Sequence, residues 1–400
     1  MLGIESLQAA FRQGTLLAPT STAPNLVDLA RAVAGLAGVP GAKRTAVSAD
    51  LAQAIGQHDH LVFILADGLG IDLMEHLPPS SFLRTHLALP MRTVFPSTTA
   101  VALTSIVTAS WPVDHGVTGW WTHVPEIGKA AAILPFALRS NGKPLSTAGV
   151  TPAQVFRRAP WMGLTDRNAL CLFPSALASS VYTTFFAGGC PGLGYANLEG
   201  AVNTLIERIR TASSPTYTYL YYMQLDTAAH RYGVGHQEAQ RTLELLEEEM
   251  ARLSDGLRGR ARIVLTGDHG FLDIPPSGRY AIKLNDRLLD LLRFPPSGDV
   301  RALYFHAREG LEQGVSVALE ERFGERFLIF PVEDALRAGL LGPGAASPAV
   351  RERLGDVMAV SMGADALEYR IDLGPGRLAA YASHHSGLSP QEMRIPLILA

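Results

Sequence analysis

The chain has 400 residues, of which 47% are hydrophobic and 18% are charged, so it can bury a large core and disorder is excluded as its main state. Its 34 basic and 37 acidic residues give a net charge of −3, which excludes a nucleic-acid-coating surface and a polybasic membrane patch. The sequence shows no apolar run near the ~18 residues of a membrane span and no evident signal peptide. We therefore expect a cytoplasmic protein that does not bind membranes.

Four apolar segments that end at polar residues are predicted as strands of a buried parallel sheet. In chain order they are His60–Gly70, Tyr217–Asp226, Ala261–Gly270 and Arg377–Gly387. Helical patterns precede the second and the third of them, at Leu198–Ile209 and Glu238–Leu257. This alternation favours a doubly wound α/β fold, with a mostly parallel central sheet and helices on both faces. Ligands of such sheets bind outside the carboxyl ends of the strands, which is where the four polar clusters lie.

The stretch between the third and the last predicted strand interrupts this alternation. It contains a predicted strand in RALYFHA, a helix in EGLEQGVSVALEERFG and another strand in RFLIFPV. We therefore predict that residues 1–272 and 377–400 form one α/β domain and that residues 273–376 form an inserted α+β subdomain. An insertion at this place is suited to act as a lid or cap, and a decorative subdomain is the alternative.

Aspartates and histidines at the four strand ends are candidate metal ligands. They are Asp67, Asp226 with His230, Asp268 with His269, and either His384 or His385. Asp226 and His230 are one helical turn apart, so both side chains can face one ion if the strand passes directly into a helix. Their oxygen and nitrogen donors suit zinc or a similar first-row ion. Six ligands exceed the three that one catalytic zinc takes, which favours two ions and in-line displacement at phosphorus.

A candidate nucleophile follows the first aspartate. Ser97, Thr98 and Thr99 come directly after a proline and before an apolar helical stretch. One interpretation is a helix N-cap, for which Ser and Thr are favoured. The other is a hydroxyl nucleophile at a helix N-terminus, where backbone N–H groups favour an anion. The two interpretations are compatible, because one residue can cap while its neighbour attacks.

Five segments in this order resemble the type I nucleotide pyrophosphatase/phosphodiesterase family of the alkaline phosphatase superfamily. They are VFILADGLG, FPSTTAVALTSIVTASWPVDHGVTG, YYMQLDTAAHRYGVGH, VLTGDHGF and HHSGLSPQEMRIPLI. The resemblance covers roughly residues 61–119, 221–270 and 384–395. It implies that the domain of residues 1–272 and 377–400 has an alkaline phosphatase-like fold and is catalytic.

The resemblance also implies a role for each ligand candidate. One zinc ion would be held by Asp226, His230 and His385. A second would be held by Asp67, Asp268 and His269, with Thr99 as both ligand and nucleophile. His385 is preferred to His384 because it fits the family's spacing to the following Ser-Pro, and Thr98 is the alternative nucleophile. The ions are expected to be Zn²⁺, with Mn²⁺ as the alternative.

Two candidate substrate-binding residues depend on the same resemblance. Trp120 stands where the family usually has an asparagine that helps to hold a phosphate oxygen, so the oxyanion contact departs from the family's pattern. Tyr221 stands where family members carry a tyrosine near a bound nucleobase, and a core tyrosine is the alternative interpretation.

These features predict a metal-dependent hydrolase with a small-molecule phosphoester as its substrate. The expected reaction is hydrolysis of a phosphodiester or pyrophosphate bond of a nucleotide-like substrate through a phosphothreonine intermediate. A phosphomonoesterase or phosphonate hydrolase on the same site is the first alternative. A non-catalytic protein that binds metal or phosphate is the second.

Overall fold

The computed structural model describes residues 2–20, 22–371 and 381–400. The strands within these ranges are β1 (His60–Ala66), β2 (Leu87–Arg92), β3 (Trp121–Val124), β4 (Lys129–Ala132), β5 (Ala137–Leu138), β6 (Asn168–Pro174), β7 (Gly192–Tyr195), β8 (Thr216–Tyr222), β9 (Ala261–Thr266), β10 (Leu272–Asp273), β11 (Arg279–Ile282), β12 (Leu292–Asp299), β13 (Ala302–Ala307), β14 (Phe327–Pro331), β15 (Val357–Ser361), β16 (Ala366–Tyr369), β17 (Ser383–His384) and β18 (Arg394–Leu399). The α-helices are α1 (Leu2–Gln13), α2 (Leu26–Leu36), α3 (Ala46–Ile55), α4 (Ile71–Met74), α5 (Phe82–Thr85), α6 (Thr99–Thr108), α7 (Pro112–His115), α8 (Pro152–Val155), α9 (Val181–Ala187), α10 (Leu198–Thr211), α11 (Gln224–Tyr232), α12 (Gln237–Leu257), α13 (Glu312–Phe323), α14 (Val332–Arg337), α15 (Pro348–Arg351) and α16 (Pro390–Met393).

The main sheet has the strand order β2-β18-β9-β1-β8-β6-β7. Its central strand, β1, is parallel to both β8 and β9, and β6 continues the parallel arrangement. Only β18 runs antiparallel to its two neighbours within this sheet of described strands. The predicted doubly wound, mostly parallel α/β fold is therefore confirmed.

Helices cover both faces of the main sheet. Successive side chains of a strand point to opposite faces, so a central strand contributes to a core on each side of the sheet. In β1, Leu61, Phe63 and Leu65 face a core that includes α2 and α6. The alternate residues of β1 face a second core, built mainly with α10 and α12. An almost entirely apolar strand is the sequence pattern that such double burial requires.

A second, antiparallel sheet has the order β14-β15-β13-β12-β3-β4-β5. The three elements predicted within the insertion are present as β13, α13 and β14. The sheet also includes β3, β4 and β5, which come from residues 121–138, far before the predicted insertion. The boundary between residues 376 and 377 lies outside the described residues, and the division into two domains, with the lid or cap role, stays a prediction.

Two predicted strand ends are corrected by the structure. The strand predicted at Tyr217–Asp226 ends at Tyr222, and Asp226 lies on α11, because the chain passes directly into a helix. Of the segment Arg377–Gly387, residues 377–380 lie outside the described residues, and the described part forms only β17. That strand pairs with β10 instead of entering the main sheet, where β18 pairs with β9. No helix in the described part of the chain is long and apolar enough to cross a membrane.

Candidate active site

The carboxyl ends of three adjacent strands bring the predicted ligands to one edge of the main sheet. β1 lies between β8 and β9 and is parallel to both. Asp67 follows β1, Asp268 and His269 follow β9, and α11 follows β8. Parallel strands end at the same edge, so side chains that are far apart in sequence become neighbours here.

Asp67, Asp268, His269 and Thr99 form the first group of site residues. His269 Nε2 lies 3.4 Å from both Asp67 Oδ1 and Asp268 Oδ2, and 3.1 Å from the Thr99 hydroxyl. Asp268 Oδ1 accepts hydrogen bonds from two backbone N–H groups, those of Gly68 at 2.9 Å and His269 at 3.1 Å. Asp268 Oδ2 is buried and accepts no hydrogen bond from any residue that the structure describes. Buried carboxylate oxygens are normally paired with a hydrogen-bond donor or a cation, and a metal ion could be that partner here.

Asp226, His230 and His385 form the second group. The Nε2 atoms of His230 and His385 are 3.1 Å apart, and they lie 3.5 and 3.9 Å from Asp226 Oδ1. The Nδ1 atoms of the two rings make hydrogen bonds to backbone carbonyls, at 2.8 Å to Ser383 and at 2.9 Å to Ser97. A hydrogen bond at Nδ1 fixes the ring orientation and directs Nε2 towards a shared ligand, which is the usual arrangement around a bound metal.

The two groups are adjacent. The rings of His269 and His385 stack with their centroids 3.6 Å apart and an interplanar angle of 15°. Ligand atoms of Asp226, His230 and His385 all lie within 4.8 Å of one another, and so do those of Asp67, Asp226 and His269. Asp226 thus belongs to both clusters, which places the two candidate metal positions side by side. The structure brings together all six predicted protein ligands and Thr99.

The electrostatics of the site favour a cation. Burial raises the pKa of Asp67 well above its usual value, and the neighbouring charges of Asp268 and Asp226 raise it further. The hydroxyl of Tyr221 donates a hydrogen bond to Asp67 Oδ2 and opposes this shift. Burial and the neighbouring histidines hold the pKa of His385 well below its usual value, so its ring is neutral and able to coordinate a metal. Crowded, buried carboxylates beside neutral imidazoles are a donor set that fits divalent ions.

Thr99 is the hydroxyl residue of the Ser97–Thr99 block that contacts the candidate ligands. It is the first residue of α6, and its Oγ1 lies 3.4 Å from Asp67 Oδ1. The hydroxyl of Thr98 donates instead to Asp299 Oδ2 at 2.8 Å, and that of Ser97 donates to the carbonyl of Gly387 at 2.8 Å. The first N–H groups of a helix have no partner within the helix, so the region beside Thr99 favours an anion.

A sequence profile described as type I phosphodiesterase/nucleotide pyrophosphatase matches residues 61–131 and 158–328, which is more than half of the chain. The chain belongs to the type I phosphodiesterase/nucleotide pyrophosphatase family. The family resemblance found in the sequence motifs is therefore confirmed, and with it the class of enzyme, a metal-dependent hydrolase. No curated protein sequence matches the chain significantly.

Solved structures of related proteins share the fold of this family member. Murine ectonucleotide pyrophosphatase/phosphodiesterase 5 is 16% identical, with a TM-score of 0.60 over 84% of this chain and 87% of its own. The human protein of the same name is 13% identical, with a TM-score of 0.61 over 85% and 87%. Phosphonoacetate hydrolase from Sinorhizobium meliloti 1021, in complex with phosphonoformate, is 17% identical, with a TM-score of 0.60 over 85% and 89%. At these identities the likeness shows the shared, alkaline phosphatase-like fold alone.

A cavity of about 460 Å³ opens beside the candidate metal ligands. It is lined by Thr99, Trp120, Trp121, Met223, Asp226, Thr227, His230, Arg231, Asp299, Val300, Tyr381, His384 and His385. Aromatic and aliphatic side chains therefore form much of its wall, and Arg231 contributes a positive charge. A cavity of this size and lining is suited to a small organic ligand.

The structure separates the two candidate substrate-binding residues. Trp120 lines the cavity, whereas Tyr221 is buried with its hydroxyl on Asp67 and is absent from the cavity wall. Sequence reasoning missed Asp299 and Tyr381, which do line it. Asp299 ends β12 of the second sheet, and no local pattern in the sequence indicates that this strand end contacts the Ser97–Thr99 block.

Proposed function

We propose that the protein is a two-metal phosphoesterase that hydrolyses phosphodiester or pyrophosphate bonds of nucleotide-like small molecules. The observation that carries the proposal is the contact of the Thr99 hydroxyl with Asp67 and His269 at the N-terminus of α6. Family membership supports the reaction class. An inactive variant of the murine relative has been solved in complex with AMP, which supports a nucleotide-like substrate.

The two groups of site residues are proposed to hold two ions, Zn²⁺ in the first place and Mn²⁺ as the alternative. Asp226, His230 and His385 would hold one ion. Asp67, Asp268 and His269 would hold the other, together with Thr99. Bound ions would supply positive charge for the phosphoryl oxygens and would lower the pKa of a coordinated hydroxyl.

Thr99 is proposed to act as the nucleophile. Its Oγ1 gives up its proton to solvent and attacks phosphorus to form a phosphothreonine, while the bond to the leaving oxygen breaks and that oxygen takes the electron pair and a proton from solvent. Water then attacks the phosphothreonine, releases the phosphate product and restores the hydroxyl. The N-terminal N–H groups of α6 favour negative charge at the reacting phosphoryl group in both steps.

The first test is the variant Thr99→Ala. We expect kcat for a nitrophenyl phosphodiester to fall by about 10³-fold or more, because the covalent route is lost, while metal content stays at two ions per chain. Thr108→Ala, which removes a hydroxyl from the far end of the same helix, is the matched control and should retain activity. Retained turnover in Thr99→Ala would move the nucleophile to Thr98 or Ser97.

Trp120 favours a second candidate within the same enzyme class. An indole N–H is larger and differently placed than the asparagine amide of the family, so a phosphomonoester or a phosphonate becomes the first alternative substrate. The hydrolysis rates of bis-nitrophenyl phosphate and nitrophenyl phosphate, measured side by side with Zn²⁺, distinguish a phosphodiesterase from a phosphomonoesterase. Faster hydrolysis of the monoester would overturn the proposal of a phosphodiester substrate. A zinc-loaded protein without turnover on a broad phosphoester panel would instead be a binding protein.

A further inference from the structure

Arg301 and Glu392 form an ion pair in which both residues are fully buried. Arg301 Nε and Nη2 donate to the two carboxylate oxygens of Glu392 at 2.6 and 2.9 Å. Arg301 Nη1 donates to the carbonyls of Gly363 and Asp365 at 2.8 and 2.7 Å. The pair thus joins the turn between β12 and β13 to α16, the short helix that follows the His385 segment.

The carboxylate of Glu392 also binds the segment that carries His385. It accepts hydrogen bonds from the N–H of Gly387 at 2.8 Å, the N–H of Ser389 at 3.2 Å and the hydroxyl of Ser389 at 2.6 Å. A Cβ atom at Gly387 would lie 2.7 Å from Glu392 Oε2 and 3.2 Å from Arg301 Nε, so a larger residue here would displace the carboxylate. The loop is therefore packed directly on the ion pair.

Backbone contacts extend this connection to the metal ligand itself. The N–H of Arg301 donates to Ser386 Oγ at 3.2 Å, and Ser386 holds a φ of 101°, a conformation that non-glycine residues rarely adopt. The N–H of Ser386 donates to Ser97 Oγ at 3.2 Å, and the carbonyl of Ser97 binds Nδ1 of His385. The strained residue directly after His385 is thus fixed from both sides.

Stability alone is a weak reason for such a pair. Buried charges lose their hydration, and apolar residues of similar size often stabilise a fold as well or better. Burial acts to raise the pKa of Glu392, yet the charge of Arg301 and the hydrogen bonds to the carboxylate hold it below the usual value, so the carboxylate stays ionised. What the pair provides is directional bonding at a loop that must hold one ring in place.

We propose that Arg301 and Glu392 are positioning residues that set the His385 ring in its ligating orientation. The inference rests on the proposed function in one respect, the role of His385 as a metal ligand. It assigns to the second sheet, through the turn between β12 and β13, a part in building the site at the edge of the main sheet.

The test uses Glu392→Gln and Arg301→Lys in the zinc-loaded full chain. Each variant keeps polar groups of similar size, but the first loses the charge and the second cannot make the bidentate contact together with both carbonyl bonds. Competition with a chelator should show that one of the two zinc affinities falls about 10- to 100-fold while the other is unchanged. The kcat should fall with the fraction of doubly loaded enzyme.

The matched control is Arg31→Lys, which perturbs another buried pair, Arg31–Asp28 on α2, with Nη1 and Oδ1 3.1 Å apart. It should lower the melting temperature and leave both zinc affinities unchanged. If Glu392→Gln and Arg301→Lys behave in the same way, the pair only stabilises the fold and the inference is overturned. If both variants fail to fold, Ser389→Ala provides the test. It removes one hydrogen bond to Glu392 and should lower the zinc affinity of the site that contains His385 about three- to tenfold.

His385→Ala separates this inference from the proposed function. A loss of one zinc affinity in His385→Ala, with none in the Arg301 and Glu392 variants, rejects the positioning role alone. Unchanged zinc binding in His385→Ala would instead reject the metal assignment on which the proposed function depends.

Discussion

Tyr221 contacts a candidate ligand carboxylate, that of Asp67. Its strand, β8, is buried throughout, and its hydroxyl donates to Asp67 Oδ2. The resemblance placed this residue near a nucleobase, and the alternative of a core tyrosine describes its burial better. Neither interpretation predicted the hydrogen bond to Asp67, because that contact depends on β1 and β8 being neighbours in the sheet. A donor at this oxygen stabilises the charged form of Asp67, which is the form that binds a cation.

The variant Tyr221→Phe should therefore weaken metal binding. Removal of the donor raises the pKa of Asp67 further and frees the carboxylate to rotate, so we expect zinc affinity at the Asp67 site to fall about 10-fold or more. Competition with a chelator at neutral pH measures this. Tyr217→Phe is the matched control, since that tyrosine lies on the same strand and its hydroxyl has no hydrogen-bond partner among the described residues. Equal affinities in the two variants would contradict the role given to Tyr221.

Single strands differ in how far the sequence could predict them. β1 was predictable because its short apolar run, followed by Asp67, is typical of a strand that is buried on both faces of a parallel sheet. The helical spacing of Asp226 and His230 indicated a helix only on the condition that the strand passes directly into one, and the strand was predicted to extend to Asp226, which lies on α11. Two strands of the second sheet, β13 and β14, were predicted, but the pairing of β3 with β12 was not, because it joins residues more than a hundred positions apart and has no local pattern in the sequence. The position of Asp299 beside Thr98 follows from that pairing and was missed with it.

Because β1 is buried on both faces, substitution of Phe63 should strongly affect the stability of the fold. Its side chain is fully buried beneath the α2 and α6 face and packs near Tyr219, with ring centroids 5.8 Å apart. Phe63→Ala should lower the free energy of unfolding by about 3–5 kcal/mol, because it removes buried apolar surface and leaves a cavity. Urea denaturation of the metal-loaded protein measures the change.

Leu245→Ala provides the comparison for Phe63→Ala. This leucine lies on α12 with 45% of its surface exposed, so the free energy of unfolding should change by about 0.5 kcal/mol or less. Similar losses in both variants would mean that the core around β1 is packed loosely enough to refill the cavity.

The net charge of the whole molecule is near neutral, but several buried histidines have pKa values far below the usual range. Burial lowers the pKa of His123 to about 4, with a further contribution from the charge of Arg293. Burial and the neighbouring His123 lower the pKa of His306 well below its usual value, and the two rings lie 4.5 Å apart in the second sheet. These histidines, which the sequence analysis did not assign to the site, are neutral in the folded protein and become a source of acid sensitivity.

His115 allows this acid sensitivity to be measured at one residue. Burial, with a smaller contribution from Arg353, lowers its pKa to about 3. Nδ1 accepts a hydrogen bond from the N–H of Val117 at 3.1 Å, and Nε2 bonds the hydroxyl of Ser105 at 2.9 Å. A proton at Nδ1 would remove the acceptor that Val117 needs. The ring therefore resists protonation while the protein stays folded.

The sign of the pH dependence follows from the lowered pKa. The unfolded chain binds a proton at this histidine below pH ~6.5 and the folded chain does not until about pH 3, so the free energy of unfolding falls as pH decreases between these values. One such group contributes a slope of up to about 1.4 kcal/mol per pH unit. His115→Gln should reduce the slope measured by urea denaturation between pH 6 and pH 4 by about that amount, whatever its effect at neutral pH. His76→Gln, which removes an exposed histidine, is the control and should leave the slope unchanged. If His115→Gln and the unaltered protein have equal slopes, His115 already takes up a proton in the folded state.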